Sequence, residues 1–272
     1  RKKLNILLSI PLLSFFIKKK IRTNLGLANA KNIFTGAAPT PVSLIKWFAR
    51  IGIYIQEAYA MTENTCYSHV TLNNNIKLGS VGQPLPLCQV KISEDKEILI
   101  RHDALMDGYF KMPEETKNTI IDGWLHTGDE GEIDSDGFLK ITGRVKDLFK
   151  TSKGKYVAPS PIEMKISANS NIEQICVVGY QLPQPIGIIV LSLEGKKKLA
   201  KDLIVSLTKT LNEVNQDLDK HEMIHNLVVL KEDWTVENKL LTPTMKIKRK
   251  EIEKLYNANY QKWFEGERVN LI

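Results

Sequence analysis

Three separated segments carry residue types that could act on a nucleotide. In Glu57-Ala58-Tyr59-Ala60-Met61-Thr62-Glu63 a flat aromatic, a hydroxyl and a carboxylate leave one turn close together. Such a trio can stack a base, hydrogen-bond a phosphate and offer a hard oxygen to a divalent cation. In Asp122-Gly123-Trp124-Leu125-His126-Thr127-Gly128-Asp129, followed by Gly143-Arg144-Val145-Lys146-Asp147, a carboxylate stands between two glycine-marked turns. A carboxylate there accepts paired ribose hydroxyls, and a guanidinium brought near by a hairpin can join the same sugar. In Pro243-Thr244-Met245-Lys246-Ile247-Lys248-Arg249-Lys250 a lysine on a loop can meet a carboxylate and a phosphate at once. Read singly, Tyr59 is a core aromatic, Asp129 a turn residue and Lys246 one of several solvated cations. Their order and context give them weight together.

The elements that must position these groups follow from patterning. Asn32–Thr35 reads as a short strand ending in a tight turn at Gly36-Ala37-Ala38-Pro39, and Ser43–Ile51 as a helix closed by Gly52. Ile53-Tyr54-Ile55 reads as another strand, and Val90–Ile92 and Glu97–Ile100 as alternating ones. Asp134-Ser135-Asp136-Gly137 is the signature of a hairpin turn between Gly131–Ile133 and Phe138–Ile141. Beyond Arg144 the texture changes. Ser160-Pro161-Ile162-Glu163 predicts a helix start with a capping hydroxyl and proline at the first helical position. Glu173–Tyr180, Ile186–Ser192 and Asn226–Leu230 read as strands. Leu199, Leu203, Leu207, Leu211, Val214 and Leu218 repeat as one face of a long helix, and Ile252 to Phe264 as the apolar face of a closing one.

The 272 residues are 43% hydrophobic and 25% charged, which excludes a disordered tail, a collagen-like fibre and a membrane bundle. The net charge of +7 suits nucleic acid, an anionic membrane face or a phosphate-rich ligand without choosing among them. Cys66, Cys88 and Cys176 form no C-x-x-C pair, so neither a disulfide framework nor a zinc spacing can be drawn, and the cytosol is the default compartment. Leu4–Ile17 is an apolar run flanked by basic residues. The Lys18–Arg22 cluster argues against a signal peptide, and Pro11 interrupts the run, so a buried or half-buried helical segment is expected.

The matching signatures are GAAP (Gly36–Pro39), YAMTE (Tyr59–Glu63), GSVGQP (Gly79–Pro84), MDGYF (Met106–Phe110) with a downstream PEET, the long block from Asp122 to Glu163, and LTPTMKIKR (Leu241–Arg249). From about Asn32 onward the chain resembles the C-terminal half of an adenylate-forming, AMP-binding synthetase or ligase, and within that superfamily the long-chain fatty acyl-CoA synthetases. The resemblance implies an α+β or α/β fold: the C-terminal portion of the large AMP-binding domain over 1–145, then a small mobile α+β lid domain over 146–272. It implies an ATP-dependent fatty acid–CoA ligase with ATP and coenzyme A as substrates and Mg2+ as cofactor.

Residue by residue, the resemblance implies that Gly36, Ala37, Ala38 and Pro39 line the adenine pocket, and that Tyr59 stacks on the base beside Ala60. Thr62 would bond the α-phosphate and Glu63 would help hold magnesium. Asp129 and Arg144 would grip the ribose. Lys146 would be the hinge, and Thr151, Ser152, Lys153, Gly154, Lys155 and Tyr156 the loop bordering the coenzyme A path. Lys246 would be the catalytic lysine, acting with Thr62 and Glu63.

Departures are small: Ala60 replaces a glycine, Lys153 the first of two lid glycines, and Met245 the glycine before the lysine. The larger one is that nothing between Arg1 and Phe34 resembles the family's glycine-, serine- and threonine-rich phosphate loop, so a partial chain with weak or no activity alone is expected. Loading of a carrier protein and inactive nucleotide binding are the alternatives. No nucleic-acid signature accompanies the basic residues. Peripheral contact with the inner membrane face is expected through Lys18–Arg22.

Overall fold

The computed structural model describes residues 8–38, 40–72 and 74–272. Its contacts divide the chain into two compact units, Arg1–Thr127 with Gly131–Ile141 and Gly128–Glu130 with Thr142–Ile272.

In the first unit, helix α1 (Pro11–Asn24) precedes strand β1 (Ile33–Thr35), helix α2 (Val42–Arg50) and strand β2 (Ile55–Tyr59). β1 and β2 pair in parallel, with Thr35 opposite Glu57. β3 (His69–Val70) and β4 (Gln83–Pro84) complete a four-stranded sheet in the order β1-β2-β3-β4. The strand expected at 53–55 therefore begins two residues later and runs longer. Gly52 leaves α2 at φ +78°, and Ile53 is then buried at the helix end while Tyr54 stays exposed. The strand itself is partly polar, with buried Gln56 donating to the Thr71 carbonyl at 2.6 Å. Alternation of apolar residues could not mark such a segment.

A second sheet joins β5 (Gln89–Ile92), β6 (Glu97–Arg101), β8 (Trp124–Ile133) and β7 (Ile120–Ile121), with β9 (Leu139–Arg144) pairing β8. Short helix α3 (Pro113–Thr119) precedes β7. Ile98, Ile100, Leu125 and Leu139 form the centre of this unit's core with Tyr59 and Cys88. Burial of each aliphatic side chain contributes about 1.5–3 kcal/mol.

The expectation for the N-terminal apolar run needs correction. Leu4–Leu7 lie outside the described residues; Leu8 and Ser9 are helical, the helix breaks at Ile10 as expected, and Pro11 opens α1, because the first helical position needs no donor. Leu12, Phe15 and Phe16, at i, i+3 and i+4, share an exposed face rather than a buried one; Leu12 is 79% exposed. Among the described residues no helix is long and apolar enough to cross a membrane.

The second unit is built on a sheet in the order β12-β13-β14-β15 (Ile172–Val178, Ile186–Leu191, Leu227–Leu230, Val269–Leu271). β12 and β13 are antiparallel, and β13, β14 and β15 run parallel. Strand residues alternate between faces. Ile175, Val177, Ile189, Leu227 and Val229 pack with Ile162 and Ile166 of helix α4 (Pro159–Ile166) and with Leu203, Leu207 and Leu211 of α6 (Ala200–Asn215). Cys176, Val178, Ile188, Val228 and Leu230 pack on the other face with Ile252, Tyr260 and Trp263 of α7 (Arg249–Tyr256) and α8 (Tyr260–Phe264). Both faces are covered, which is why the strands read as near-continuous apolar runs. A short helix α5 (Leu193–Lys196) follows β13, and a hairpin, β10 (Phe149–Lys150) with β11 (Tyr156–Val157), lies before α4.

Three details differ from expectation. The helix expected to start at Ser160 starts at Pro159, with Ala158 at its cap and no side-chain capping bond. Leu199 caps α6 as an exposed residue rather than extending its buried face. The closing helix is two helices separated by a 3-10 turn at Asn257–Asn259, and Leu255 is exposed.

Candidate functional site

In the first unit the turn after β1 holds Gly36, Ala37 and Ala38 in exposed positions; Pro39 lies outside the described residues. A Cβ on Gly36 would sit 2.7 Å from the Ala58 carbonyl oxygen, so only glycine lets this turn lie against β2. Tyr59 closes β2 with its ring 9% exposed, in the core cluster and 6.2 Å from the His69 ring. His69 is buried beside it, and burial lowers its pKa to about 4. Its Nδ1 lies 2.8 Å from Ser68 Oγ.

Ala60 and Met61 then lead into a 3-10 turn at Thr62–Asn64. Asn64 Oδ1 accepts the Met61 N–H at 3.0 Å, and Thr65 and Cys66 take left-handed conformations. This closed turn displays Thr62 at the surface and Glu63 half-buried. The segment after β6 is strapped to the turn. Met106 N–H donates to the Glu63 carbonyl at 2.8 Å, and Tyr109 Oη donates to Glu63 Oε1 at 2.8 Å. Burial first, and the Glu63 acceptor second, raise the Tyr109 pKa. Tyr109 and Asn64 were not assigned roles from sequence. The signal for Tyr109 was its place in the MDGYF signature.

In the second unit Arg144 Nε meets Asp129 Oδ1 at 2.9 Å; Asp129 is 15% exposed and Arg144 58%. The sequence suggested a turn for Asp129. It stands instead within the ten-residue strand β8, next to Gly128 at φ +71°. Strand pairing of β8 with β9 brings the acid and the guanidinium together. Lys146 lies exposed in a 3-10 turn at Val145–Asp147.

Thr151–Tyr156 forms the tip of the β10–β11 hairpin. Thr151 N–H donates to the Lys155 carbonyl at 2.9 Å, and Gly154 turns the chain at φ +76°. Thr151 is buried, whereas Ser152, Lys153, Gly154, Lys155 and Tyr156 are exposed. Lys246 sits at a tight turn. Its N–H donates to Thr242 Oγ1 at 3.0 Å, and its carbonyl accepts the Thr242 N–H at 2.8 Å, with Met245 at φ +63°. The ammonium is thus carried by a fixed backbone and left in solvent.

Among the described residues no three His, Cys, Asp or Glu side chains cluster as a metal cage. Glu63 offers one hard oxygen ligand, which suits an ion such as Mg2+ that keeps waters and takes phosphate oxygens as its other ligands.

Comparison with known proteins matches one enzyme family over both parts of the chain. The model of the AMP-binding enzyme family matches residues 9–110, and that of the AMP-binding enzyme C-terminal domain matches 146–268. A long-chain-fatty-acid–CoA ligase of Mycobacterium bovis is 32% identical over 266 residues, 89% of this chain and 44% of its own length. Long-chain-fatty-acid–CoA ligase 5 of Rattus norvegicus is 32% identical over 278 residues, 91% of this chain and 41% of its own. The chain thus spans less than half the length of these relatives. The crystal structure of an anthranilate CoA ligase with anthranoyl-AMP superposes with TM-score 0.71 at 22% identity, covering 84% of this chain and 45% of that one. O-succinylbenzoate coenzyme A synthetase from Bacillus subtilis with AMP gives 0.68 at 25%, covering 82% and 46%. The mixed α/β fold is that of these ligases, and the chain belongs to the AMP-binding enzyme family.

Proposed function

We propose that the chain serves an ATP-dependent long-chain fatty acid–CoA ligase, supplying its adenosine-binding, hinge and lid elements. A fatty carboxylate oxygen attacks the α-phosphorus, the bond to the β-phosphate oxygen breaks, and pyrophosphate leaves. The coenzyme A thiol, losing its proton, then attacks the acyl carbonyl and releases AMP. The turn at Gly36–Pro39 and the Tyr59 ring would border the adenine, and Asp129 with Arg144 the ribose. Thr62 would donate to the α-phosphate. Bound at Glu63, Mg2+ would supply positive charge to the phosphates. Lys246 would hold the charge that builds on the non-bridging oxygens, which is electrostatic rather than covalent catalysis.

The second half-reaction needs the lysine withdrawn, with Thr151–Tyr156 taking its place through rotation at Lys146, a hinge change. The protein would work in the cytoplasm. Exposed Phe15 and Phe16 beside Lys18–Lys20 on α1 support peripheral contact with an anionic membrane face.

The observation that carries this reading is the Lys246 turn, which fixes its backbone at two points as a solvated surface cation has no need to be. The test separates the half-reactions. Lys246→Ala should lower adenylation by about 100-fold or more while sparing thioester formation from supplied acyl-adenylate. Equal loss of both steps would overturn the assignment. Competition between coenzyme A and a holo-carrier protein for the acyl group separates the ligase from a carrier-loading enzyme.

A further inference from the structure

The second unit hides a charged cluster that the reaction as described does not use. Arg249, the first residue of α7, is 9% exposed, and its Nη2 lies 2.6 Å from Glu163 Oε1 of α4. Its Nη1 donates to the Val177 carbonyl of β12 at 2.8 Å and reaches Cys176 Sγ at 3.2 Å. Its Nε is 3.4 Å from Asp147 Oδ2. The same Glu163 oxygen accepts the Val177 N–H at 2.7 Å.

The sequence positions of these partners give the cluster its meaning. Arg249 follows Lys246 by three residues, and Lys248 N–H donates to the Leu240 carbonyl at 2.8 Å, so little slack separates the guanidinium from the lysine turn. Asp147 directly follows Lys146. Glu163 lies on the helix that leaves the Thr151–Val157 hairpin. Burying a guanidinium with the Glu163 carboxylate is costly unless their geometry is satisfied, and apolar residues would stabilise a core at least as well. What a planar, forked cation supplies here is simultaneous contact in several directions, which an ammonium does not reproduce.

We propose that Arg249 is a positioning residue that locks the Lys246 turn and the Lys146–Val157 segment onto strand β12, so that both working faces of this unit move as one rigid piece. The kinetic part rests on the proposed role of Lys246; the mechanical part does not. Arg249→Lys keeps the charge and loses the fork, and Asp147→Asn removes only the outermost contact.

The experiment uses the full chain and reads amide hydrogen exchange across 240–248 and 145–157 together with adenylation kinetics. Arg249→Lys should speed exchange in both segments by about tenfold, with the centre of α6 unchanged. Adenylation kcat should fall by about tenfold while KM for ATP stays within about twofold. Asp147→Asn should speed exchange in the same two segments by a smaller factor, and it decides the matter if Arg249→Lys does not fold. Unchanged exchange in both segments, or acceleration spread evenly over the whole unit, overturns the proposal whatever the activity. Accelerated exchange in the two segments with an unchanged adenylation kcat supports the lock and counts against the role proposed for Lys246.

Discussion

The phenolic hydroxyl of Tyr109 donates to Glu63 Oε1 at 2.8 Å, across 46 positions of sequence. That bond fixes the one carboxylate that the Thr62–Asn64 turn presents. Tyr109→Phe removes the donor without changing the ring. A hydrogen bond of this kind contributes about 1 kcal/mol, so the Mg2+ concentration that half-saturates nucleotide binding should rise by about fivefold. A Mg2+ titration of ATP binding checks it, and an unchanged midpoint would remove Tyr109 from the site.

The Asp129–Arg144 pair should read the sugar. If both groups face ribose hydroxyls, the chain should prefer AMP over its 2′,3′-dideoxy analogue by about tenfold. Arg144→Ala should weaken AMP and leave the dideoxy analogue nearly unaffected, closing the gap. Calorimetric titration of both ligands with both proteins measures this. A constant ratio would place the pair away from the sugar.

Two groups in the first unit, half-buried Glu57 and buried His69, make opposing pH dependences. Burial raises the Glu57 carboxyl from its ordinary 4.5 to about 7, against a bond from the Gly79 N–H. The folded protein then binds the proton more tightly than the unfolded chain, so this group's contribution falls as pH rises from about 4.5 to about 7. Burial lowers His69 from 6.5 to about 4, and there stability rises with pH from about 4 to about 6.5. Over the shared range the two slopes offset each other. Glu57→Gln leaves the histidine alone. Urea unfolding should then show the variant gaining about 1–2 kcal/mol on the parent at pH 8 relative to pH 5, a figure reduced because Glu57 is only half-buried. An equal difference at both pH values would contradict the assignment.

What was legible in the sequence depended on whether a residue's environment is local. Leu203, Leu207, Leu211 and Val214 declare a helix face because four residues carry the whole period, and they are all buried. The hairpin at Asp134–Gly137 is likewise written in its turn, where Asp134 Oδ1 accepts the N–H groups of Asp136 and Phe138. Glu163 was legible as part of a helix start, yet its task lies 86 positions away at Arg249. No capping rule could find that. β15 was missed because three residues make a strand only by lying beside β14. Of the candidate site, motif order nominates the chemistry-bearing residues, whereas what Asn64, Tyr109 and Arg249 hold shows only in their contacts.

The most direct test of the whole account is the affinity of the chain for a non-hydrolysable acyl-adenylate analogue, measured by calorimetry for the parent, Asp129→Ala and Lys246→Ala. If the ribose grip and the distant lysine serve one nucleotide, the parent binds saturably and each substitution weakens binding by about tenfold or more. Saturable binding that neither substitution changes would contradict the account.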